Sequence, residues 1–315
     1  MTENAHSKLT VVGAGSVGSS TAYAALIRQS ARTIALYDIQ TRKVNAEVLD
    51  LAHGTQFTGS SEIIGGDDVA VAAGSDVVVI TAGAKQEPGQ TRLDLAATNV
   101  EILRTLLPQL LEQAPDATYI LVTNPCDVLT VVAQRITGLP VNRVFASGTA
   151  LDTSRLRWEL GRRLGVSTSS VHASIVGEHG DTEFPLWSSA TVGSVPLLNW
   201  RGDSPLTERE LDWIADDVRD AAYTVIEGKG ATNYAIGLTG ARLVEAVLND
   251  EHAIMPVSTV LDEYHGISDV AISVPSIVSA AGAFPLAGVP YSTNERRLLQ
   301  ASADTLSISL RLLGF

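Results

Sequence analysis

The sequence predicts an α/β fold in two parts, a doubly wound parallel sheet followed by an α+β domain. The 315 residues are enough for about two domains, and because 45% of them are hydrophobic a sizeable core can be buried. In the first half, short β-branched runs alternate with longer amphipathic stretches, as in βαβ units. This rhythm changes near residue 148. We therefore predict domains over residues 1–147 and 148–315.

Five runs in the first half have the character of parallel strands. They span residues 8–12, 33–37, 76–81, 119–123 and 143–146. The cores of the third and fourth runs are apolar throughout, which is typical of strands covered on both faces. Between the runs, apolar residues recur every three or four positions, as at Val44, Val48 and Leu51. This spacing predicts helices that pack on the sheet.

The second half predicts a mixture of helices and short strands. A helix is expected over residues 151–165, and strand-like pieces follow near 172–176 and 191–198. Thr207 and Glu210 have the spacing of a capping box, so a helix should begin there. Gly228 and Gly230 should interrupt it before helix resumes toward Leu248. The stretch 279–292, rich in Ala, Gly and Pro, indicates a surface loop before a closing helix over 293–313.

Composition and charge exclude several classes of protein. The net charge is −13, from 22 basic and 35 acidic residues, so nucleic acid is a poor candidate partner. The single cysteine, Cys126, forms no intramolecular disulfide, which indicates a reducing compartment. Neither a signal peptide nor a membrane span is predicted, so we expect a cytoplasmic protein. The six histidines lack the spacing of a zinc site, and no metal is expected.

A glycine-rich motif follows the first predicted strand. In Gly13-Ala-Gly15-Ser-Val-Gly18, the first glycine permits a tight turn, the second lets a pyrophosphate approach the backbone, and the third lets helix and strand pack closely. Asp38 ends the second strand, where its carboxylate can accept hydrogen bonds from ribose hydroxyls and would repel a 2′-phosphate. The motif therefore predicts a Rossmann-type domain that binds NAD in preference to NADP. Lys43 either reaches the adenosine end or is a solvated helix lysine.

Two further segments follow strand ends and should face the same crevice. Lys85-Gln-Glu-Pro-Gly-Gln-Thr-Arg92 suits a mobile lid that delivers a cation, although an ordinary surface turn is the preferred interpretation of this segment alone. The side-chain amide of Asn124 can donate to a substrate oxygen, although Asx-Pro is also common at turns. For Cys126, next in the chain, we favour buried packing over a nucleophilic role.

His179 is the candidate for proton transfer. It lies in Gly177-Glu-His-Gly-Asp181, a polar turn after an apolar run, and histidine exchanges protons near neutral pH. It needs an orienting carboxylate; Asp152 from another segment is one candidate, Glu178 and Asp181 are its rivals, and the sequence does not choose between them. Asp152 and Arg155 share one helix face, which fits a surface ion pair equally well. Thr232 either lines a site or ends a helix.

Taken together, the motifs resemble those of the L-lactate/malate dehydrogenase family over nearly the whole chain. Within that family the chain is most similar to the bacterial NAD-dependent L-lactate dehydrogenases. The motifs that carry the resemblance are Gly13-Ala-Gly15-Ser-Val-Gly18, Pro88-Gly-Gln-Thr-Arg92, Thr123-Asn-Pro125, Leu151-Asp-Thr-Ser-Arg155, Gly177-Glu-His-Gly-Asp181 and Lys229-Gly-Ala-Thr232. The resemblance implies interconversion of pyruvate plus NADH with L-lactate plus NAD⁺ by a cytoplasmic homotetramer.

The resemblance also implies roles for single residues. His179 would be the acid/base, Asp152 its partner, and Arg92 the lid arginine that polarises the substrate carbonyl. Arg155 would bind the substrate carboxylate through two parallel hydrogen bonds. Asn124 and Thr232 would contact the substrate. The cofactor site would comprise Gly13, Gly15, Val17, Gly18, Asp38, Lys43, Gly83, Ala84, Val122, Asn124 and Ser147.

Substrate choice and regulation complete the expectations. Gln86 falls where lactate dehydrogenases of the family carry glutamine and malate dehydrogenases carry arginine, so pyruvate is favoured over oxaloacetate unless Lys85 occupies that position instead. Arg157 and His172 match positions where fructose 1,6-bisphosphate binds as an activator. The alternatives are a malate or other 2-hydroxyacid dehydrogenase, and a catalytically silent dinucleotide-binding scaffold.

Overall fold

The structure is a computed structural model that describes residues 7–84, 91–201 and 206–315. Its first half contains six strands and four α-helices within the described residues. The strands are β1 (Lys8–Val12), β2 (Thr33–Tyr37), β3 (Glu62–Gly66), β4 (Val77–Ile80), β5 (Thr118–Leu121) and β6 (Val144–Ala146). The helices are α1 (Ser16–Arg28), α2 (Thr41–Gly54), α3 (Arg92–Gln113) and α4 (Cys126–Thr137).

The six strands form a parallel sheet in the order β3-β2-β1-β4-β5-β6. This is the order of a doubly wound dinucleotide-binding sheet, and it confirms the predicted fold class. Alternate residues of β4 enter different cores: Val77 and Val79 pack in the cluster that includes α1, whereas Val78 and Ile80 pack with α3 and α4. The continuous apolar runs are therefore strands covered on both faces, as expected.

The second half supplies the remaining elements. The helices are α5 (Ala150–Leu164), α6 (Glu208–Lys229), α7 (Tyr234–Leu248) and α8 (Thr293–Leu312). The strands are β7 (Val171–His172), β8 (Ile175–Val176), β9 (Phe184–Pro185), β10 (Thr191–Val192), β11 (Val195–Pro196), β12 (Ala253–Val260), β13 (Ala271–Ser279) and β14 (Gly282–Pro285). The predicted capping box of Thr207 and Glu210 is present at the start of α6.

The large sheet continues from the first half into the second. β12 pairs antiparallel with β6, and β13 and β14 extend the sheet beyond it. Helix α7 returns to pack against α1 and shares a core with β1 and β4. The boundary at residue 147 therefore stays a prediction, since strands and helices from both halves pack across it. No helix in the described ranges is both long and apolar enough to cross a membrane.

The surface loop predicted over residues 279–292 is wrong in its first part. The chain reverses after β13 and forms β14, whose Ala283 is buried. Gly282 has φ +103°, and a Cβ there would lie 2.0 Å from the carbonyl oxygen of Asn142. Gly282, one of the small residues that suggested a loop, is thus required by the close packing of a strand.

Strands β12 and β13 were not predicted, and each contains a proline. Pro256 and Pro275 lie opposite each other in the register of the pair. Proline within an apolar run argues against a strand, since it donates no ladder hydrogen bond. In β12, only Ser258 and Thr259 pair with β6, so Pro256 lies outside that ladder and its missing N–H is tolerated.

The contact between α1 and α7 gives a stability prediction. A Cβ on Gly237 of α7 would lie 2.7 Å from the backbone carbon of Ser20, whereas a Cβ on Gly228 of α6 meets nothing within 4 Å. We expect Gly237→Ala to lower the free energy of unfolding by about 1–3 kcal/mol through overpacking. Gly228→Ala is the matched control, with an expected gain of at most about 1 kcal/mol from helix propensity. Urea unfolding of both variants checks this, and equal stabilities would contradict it.

Candidate functional site

The glycine-rich turn lies at the carboxyl edge of the parallel sheet, between β1 and α1. Gly13 has φ +102°, and a Cβ there would lie 2.7 Å from the backbone nitrogen of Ala82. A Cβ on Gly18 would lie 1.8 Å from the carbonyl oxygen of Gly13, so only glycine lets α1 begin this close to the strand. A Cβ on Gly15 would meet no other atom within 4 Å. The turn thus combines tight packing below with room for a ligand above.

The start of α1 and Asp38 fit the two polar parts of a dinucleotide. Gly15 is the N-cap of α1 and offers no side-chain cap, so no side chain of its own competes for the N–H groups of the first turn. These groups and the helix dipole favour a pyrophosphate. Asp38 Oδ2 accepts a hydrogen bond from the Ala14 N–H at 2.7 Å, which holds the carboxylate beside the turn. Val17 lies in the first turn of α1 and Lys43, half-buried, in that of α2.

The other residues expected around the cofactor follow strand ends along the same edge. Gly83 and Ala84 follow β4, Val122 and Asn124 follow β5, and buried Ser147 follows β6. A Cβ on Gly83 would lie 2.3 Å from the Thr123 methyl, so the two loops touch at this point. The structure therefore brings these predicted positions to one side of the sheet.

Asn99 joins two of these loops and was missed in the sequence. It lies in α3 and is 1% exposed. Its Oδ1 accepts from the Ala84 N–H at 2.8 Å, and its Nδ2 donates to the Asn124 carbonyl at 2.8 Å. One side chain thus holds the loops after β4 and β5 in a fixed relation. The available signal was a polar residue three positions after Ala96, within the apolar stripe of α3.

His179 and Asp152 form the centre of the site. Asp152 is in the first turn of α5, which begins directly after β6, and is 2% exposed. His179 follows β8 and lies with its Nδ1 2.8 Å from Asp152 Oδ2. Of the three carboxylates considered for this contact, Glu178 instead accepts a hydrogen bond from Thr182 and Asp181 one from Tyr223. The structure therefore pairs His179 with Asp152.

This pairing shifts both groups toward their charged forms. Burial lowers the pKa of His179, but the charge and hydrogen bond of Asp152 outweigh it and raise the pKa to about 9. Burial likewise opposes ionisation of Asp152, yet His179 and then Arg155 hold its pKa below the usual value. The Arg155 guanidinium donates to Asp152 Oδ1, and since Asp152 is buried this is not the surface ion pair that the spacing allowed.

Two more carboxyl groups surround His179, and neither was predicted. Asp127 in α4 is 2% exposed and accepts from the backbone N–H of His179 at 2.7 Å. Burial raises its pKa to about 6. Glu183 lies with Oε2 3.9 Å from His179 Nδ1, and burial raises its pKa to about 8, followed by the charge of Asp152. For Asp127 the signal was an acid directly before the apolar Val128 and Leu129 in the first turn of a helix, whereas Glu183 had none beyond its closeness to the histidine.

Other predicted residues lie at the margins of the described structure. Gln86 and Lys85 are outside the described residues, and of Arg92 only its place at the start of α3 is described. Thr232 lies between α6 and α7, beside Asn233, whose amide donates to Ser20 of α1. Cys126 is 1% exposed, and burial raises the pKa of its thiol, as expected for a packed cysteine.

The two residues expected to bind a bisphosphate lie on α5 and at the end of β7. Arg157 is on α5, and its Nε donates to the carbonyl oxygen of Ala173 at 2.9 Å. His172 is exposed at the end of β7, one residue before Ala173. Arg157 therefore binds, and His172 belongs to, the segment that precedes His179 in the chain. Arg157 also shares a helix with Asp152 and Arg155.

Comparisons with known proteins agree with this architecture. Residues 7–146 match the family model of the lactate/malate dehydrogenase NAD-binding domain, and residues 149–312 match that of its alpha/beta C-terminal domain. An L-lactate dehydrogenase from Bifidobacterium animalis subsp. lactis is 48% identical over 98% of this chain and 97% of its own length. One from Acetivibrio thermocellus is 41% identical over 97% of each chain.

Solved structures give the same result. A lactate dehydrogenase from a Medee basin deep-sea metagenome library superposes with a TM-score of 0.93 and 36% identity, over 98% of this chain and 99% of that one. The minor L-lactate dehydrogenase of Enterococcus mundtii also gives 0.93, with 37% identity over 97% and 98% of the two chains. The resemblance noted in the motifs is thereby confirmed, and the chain belongs to the lactate/malate dehydrogenase family, with an NAD-binding domain at its amino-terminal end.

Proposed function

We propose that this protein is an NAD-dependent L-lactate dehydrogenase, which interconverts pyruvate plus NADH and H⁺ with (S)-lactate plus NAD⁺. The observation that carries the proposal is the contact between His179 and buried Asp152 at the edge of the sheet that also holds the glycine-rich turn. Relatives of 41–48% identity that carry the name L-lactate dehydrogenase support it. A dinucleotide-binding scaffold without activity requires no such pair.

His179 would act as the acid and base of the reaction. Bound NADH supplies the hydride, and the substrate oxygen then needs a proton. Because Nδ1 faces Asp152, Nε2 is the nitrogen left for the substrate. Asp152 holds the imidazole in one orientation and stabilises its protonated form, which keeps a proton available for the carbonyl oxygen. In the reverse direction the neutral imidazole accepts the proton of the hydroxyl group.

Arginine and amide groups would hold the substrate. Arg155 is 17% exposed and suited to binding the substrate carboxylate through two hydrogen bonds, for which it must release Asp152. Arg92 would polarise the carbonyl, and Asn124 and Thr232 would line the site. Gln86 would contact the methyl group, since a neutral amide cannot compensate the second carboxylate of oxaloacetate. The cofactor would lie along the strand ends from Gly13 to Ser147.

We also propose that the protein is a cytoplasmic homotetramer activated by fructose 1,6-bisphosphate. Large apolar side chains on α1 and α7 support self-association, with Tyr23 56%, Ile27 51% and Tyr234 73% exposed. Arg157 and His172 would bind the bisphosphate, and α5 provides a physical connection from Arg157 to Asp152 and Arg155. The division into domains over residues 1–147 and 148–315 is retained as part of this proposal.

The first prediction about function concerns the chemical step. NADH oxidation should be much faster with pyruvate than with oxaloacetate. His179→Asn should lose about 10²–10⁴-fold in kcat, because the proton donor is removed. NADH fluorescence titration should give unchanged cofactor binding, and His53→Asn, at an exposed position in α2, is the matched control. Unchanged turnover in His179→Asn would contradict the acid/base role, and NADH binding without turnover of any 2-oxoacid would favour the scaffold.

The second prediction concerns substrate choice. Gln86→Arg should raise the ratio of kcat/KM for oxaloacetate over pyruvate by about tenfold or more, since about 1.4 kcal/mol suffices for a factor of ten. The new cation would compensate the second carboxylate. Gln90→Arg adds the same charge to the same segment and should leave the ratio nearly unchanged. Equal shifts in the two variants would mean that general charge, and not position 86, determines the preference.

The third prediction concerns activation. Fructose 1,6-bisphosphate should lower the apparent KM for pyruvate, because Arg157 and His172 would hold its phosphate groups. His172→Gln should weaken this response without changing basal activity, and His252→Gln is a control at another exposed histidine. Arg157→Gln is less clean, since it also removes the hydrogen bond to Ala173. Steady-state kinetics with and without the bisphosphate measure this, and an unchanged response in His172→Gln would contradict the site.

A further inference from the structure

The imidazole of His179 faces a second carboxyl group besides Asp152. Glu183 Oε2 is 3.9 Å from His179 Nδ1, and Asp152 Oδ2 is 2.8 Å from the same nitrogen. The side chains of Glu183 and Asp152 are only 5% and 2% exposed, whereas that of His179 is 25% exposed. Solvent therefore screens the carboxyl groups little, and a charge on Glu183 acts strongly on the imidazole.

We propose that Glu183 is a positioning residue for proton transfer, which stabilises the protonated form of His179 from the side of Nδ1 together with Asp152. This proposal rests on the function proposed above and deepens it. Glu183 lies near Nδ1 of the imidazole, whereas the substrate would meet Nε2 of the same ring. Glu183 is therefore not a catalytic residue in the strict sense. Its action passes through the imidazole, in the way that the hydrogen-bonded partner of a catalytic histidine determines how firmly it holds its proton.

Several charged groups from different elements act on His179 and Glu183. They are Asp152 and Arg155 from α5, Asp127 from α4 and Arg219 from α6. Asp152 disfavours a charge on Glu183, whereas His179, Arg155 and Arg219 favour it. Arg155 is committed to Asp152 in this structure, and Arg219 donates to Asp216. The protonated imidazole, 3.9 Å from Glu183 Oε2 and 2.8 Å from Asp152 Oδ2, is thus a cation that the two carboxyl groups share.

The sign of the effect follows from the charges of the two groups. Burial, then the charge of Asp152, raises the pKa of Glu183, while Asp152 raises that of His179 against the effect of burial. Loss of the imidazole proton removes the positive charge that lies 3.9 Å from the Glu183 carboxyl group. A charged Glu183 makes that loss harder, so it extends to higher pH the range in which His179 can donate a proton to pyruvate.

Glu183→Gln tests this, because it keeps the shape of the side chain and removes its charge. The profile of kcat/KM for pyruvate against pH should lose its alkaline limb at a lower pH, by about one pH unit. The acidic limb of lactate oxidation, which needs the neutral imidazole, should move in the same direction. Glu178→Gln is the matched control, since Glu178 adjoins His179 in sequence but accepts a hydrogen bond from Thr182. It should leave both limbs in place.

A measurement without turnover separates this proposal from the proposed function. The ring protons of His179, followed by NMR in the substrate-free protein, should titrate at lower pH in Glu183→Gln than in the wild type. Glu183→Asp, which withdraws the carboxyl group by one methylene, should give a smaller shift in the same direction and serves if the glutamine variant does not fold. An unchanged titration in the variants, or an equal shift in Glu178→Gln, would overturn the proposal even if the protein reduces pyruvate.

Discussion

The site depends on one buried contact, between Asp152 at the start of α5 and His179 after β8. A carboxylate that is 2% exposed is stable as an anion only with cationic or donor partners, and His179 and Arg155 provide them. Asp127 then fixes the other end of the histidine by accepting its backbone N–H. Helices α4 and α5, which follow β5 and β6, thereby hold in place a loop that comes later in the chain.

The cofactor side of the crevice is fixed by a second set of buried polar contacts. Asn99 joins the loops after β4 and β5, and Thr123 Oγ1 donates to the Ala82 carbonyl across the same gap. These contacts hold the Ala84 N–H and the carbonyl groups of Ala82 and Asn124 in place, which reduces the ordering cost of binding. Asn99 lies in α3, which begins at Arg92. The same helix therefore connects these loops to the arginine that the family resemblance places in a lid.

Local patterns were sufficient to predict the parallel sheet and much of the site. The β-branched runs marked five of the six parallel strands, and the glycine motif with Asp38 indicated the dinucleotide turn. Sequence patterns failed where the deciding contact joins distant segments. Asp127 and Asn99 contact groups from elsewhere in the chain, and no local spacing records that. Glu183 is only four residues from His179, but the charge of Asp152, which also acts on it, comes from a distant segment. Likewise β12 and β14 are strands because of what they pair with, although proline and glycine argue locally against them.

Substrate binding and proton transfer should be linked through Asp152. Asp152 accepts hydrogen bonds from both Arg155 and His179, so its single charge is shared. If Arg155 turns to a substrate carboxylate, as its proposed role requires, Asp152 loses that cation and interacts with the imidazole alone. An anionic substrate would then make the imidazole more basic in two ways, by its own charge and by releasing Asp152. The binding of the carboxylate would thus favour the protonation state that reduction of the carbonyl requires.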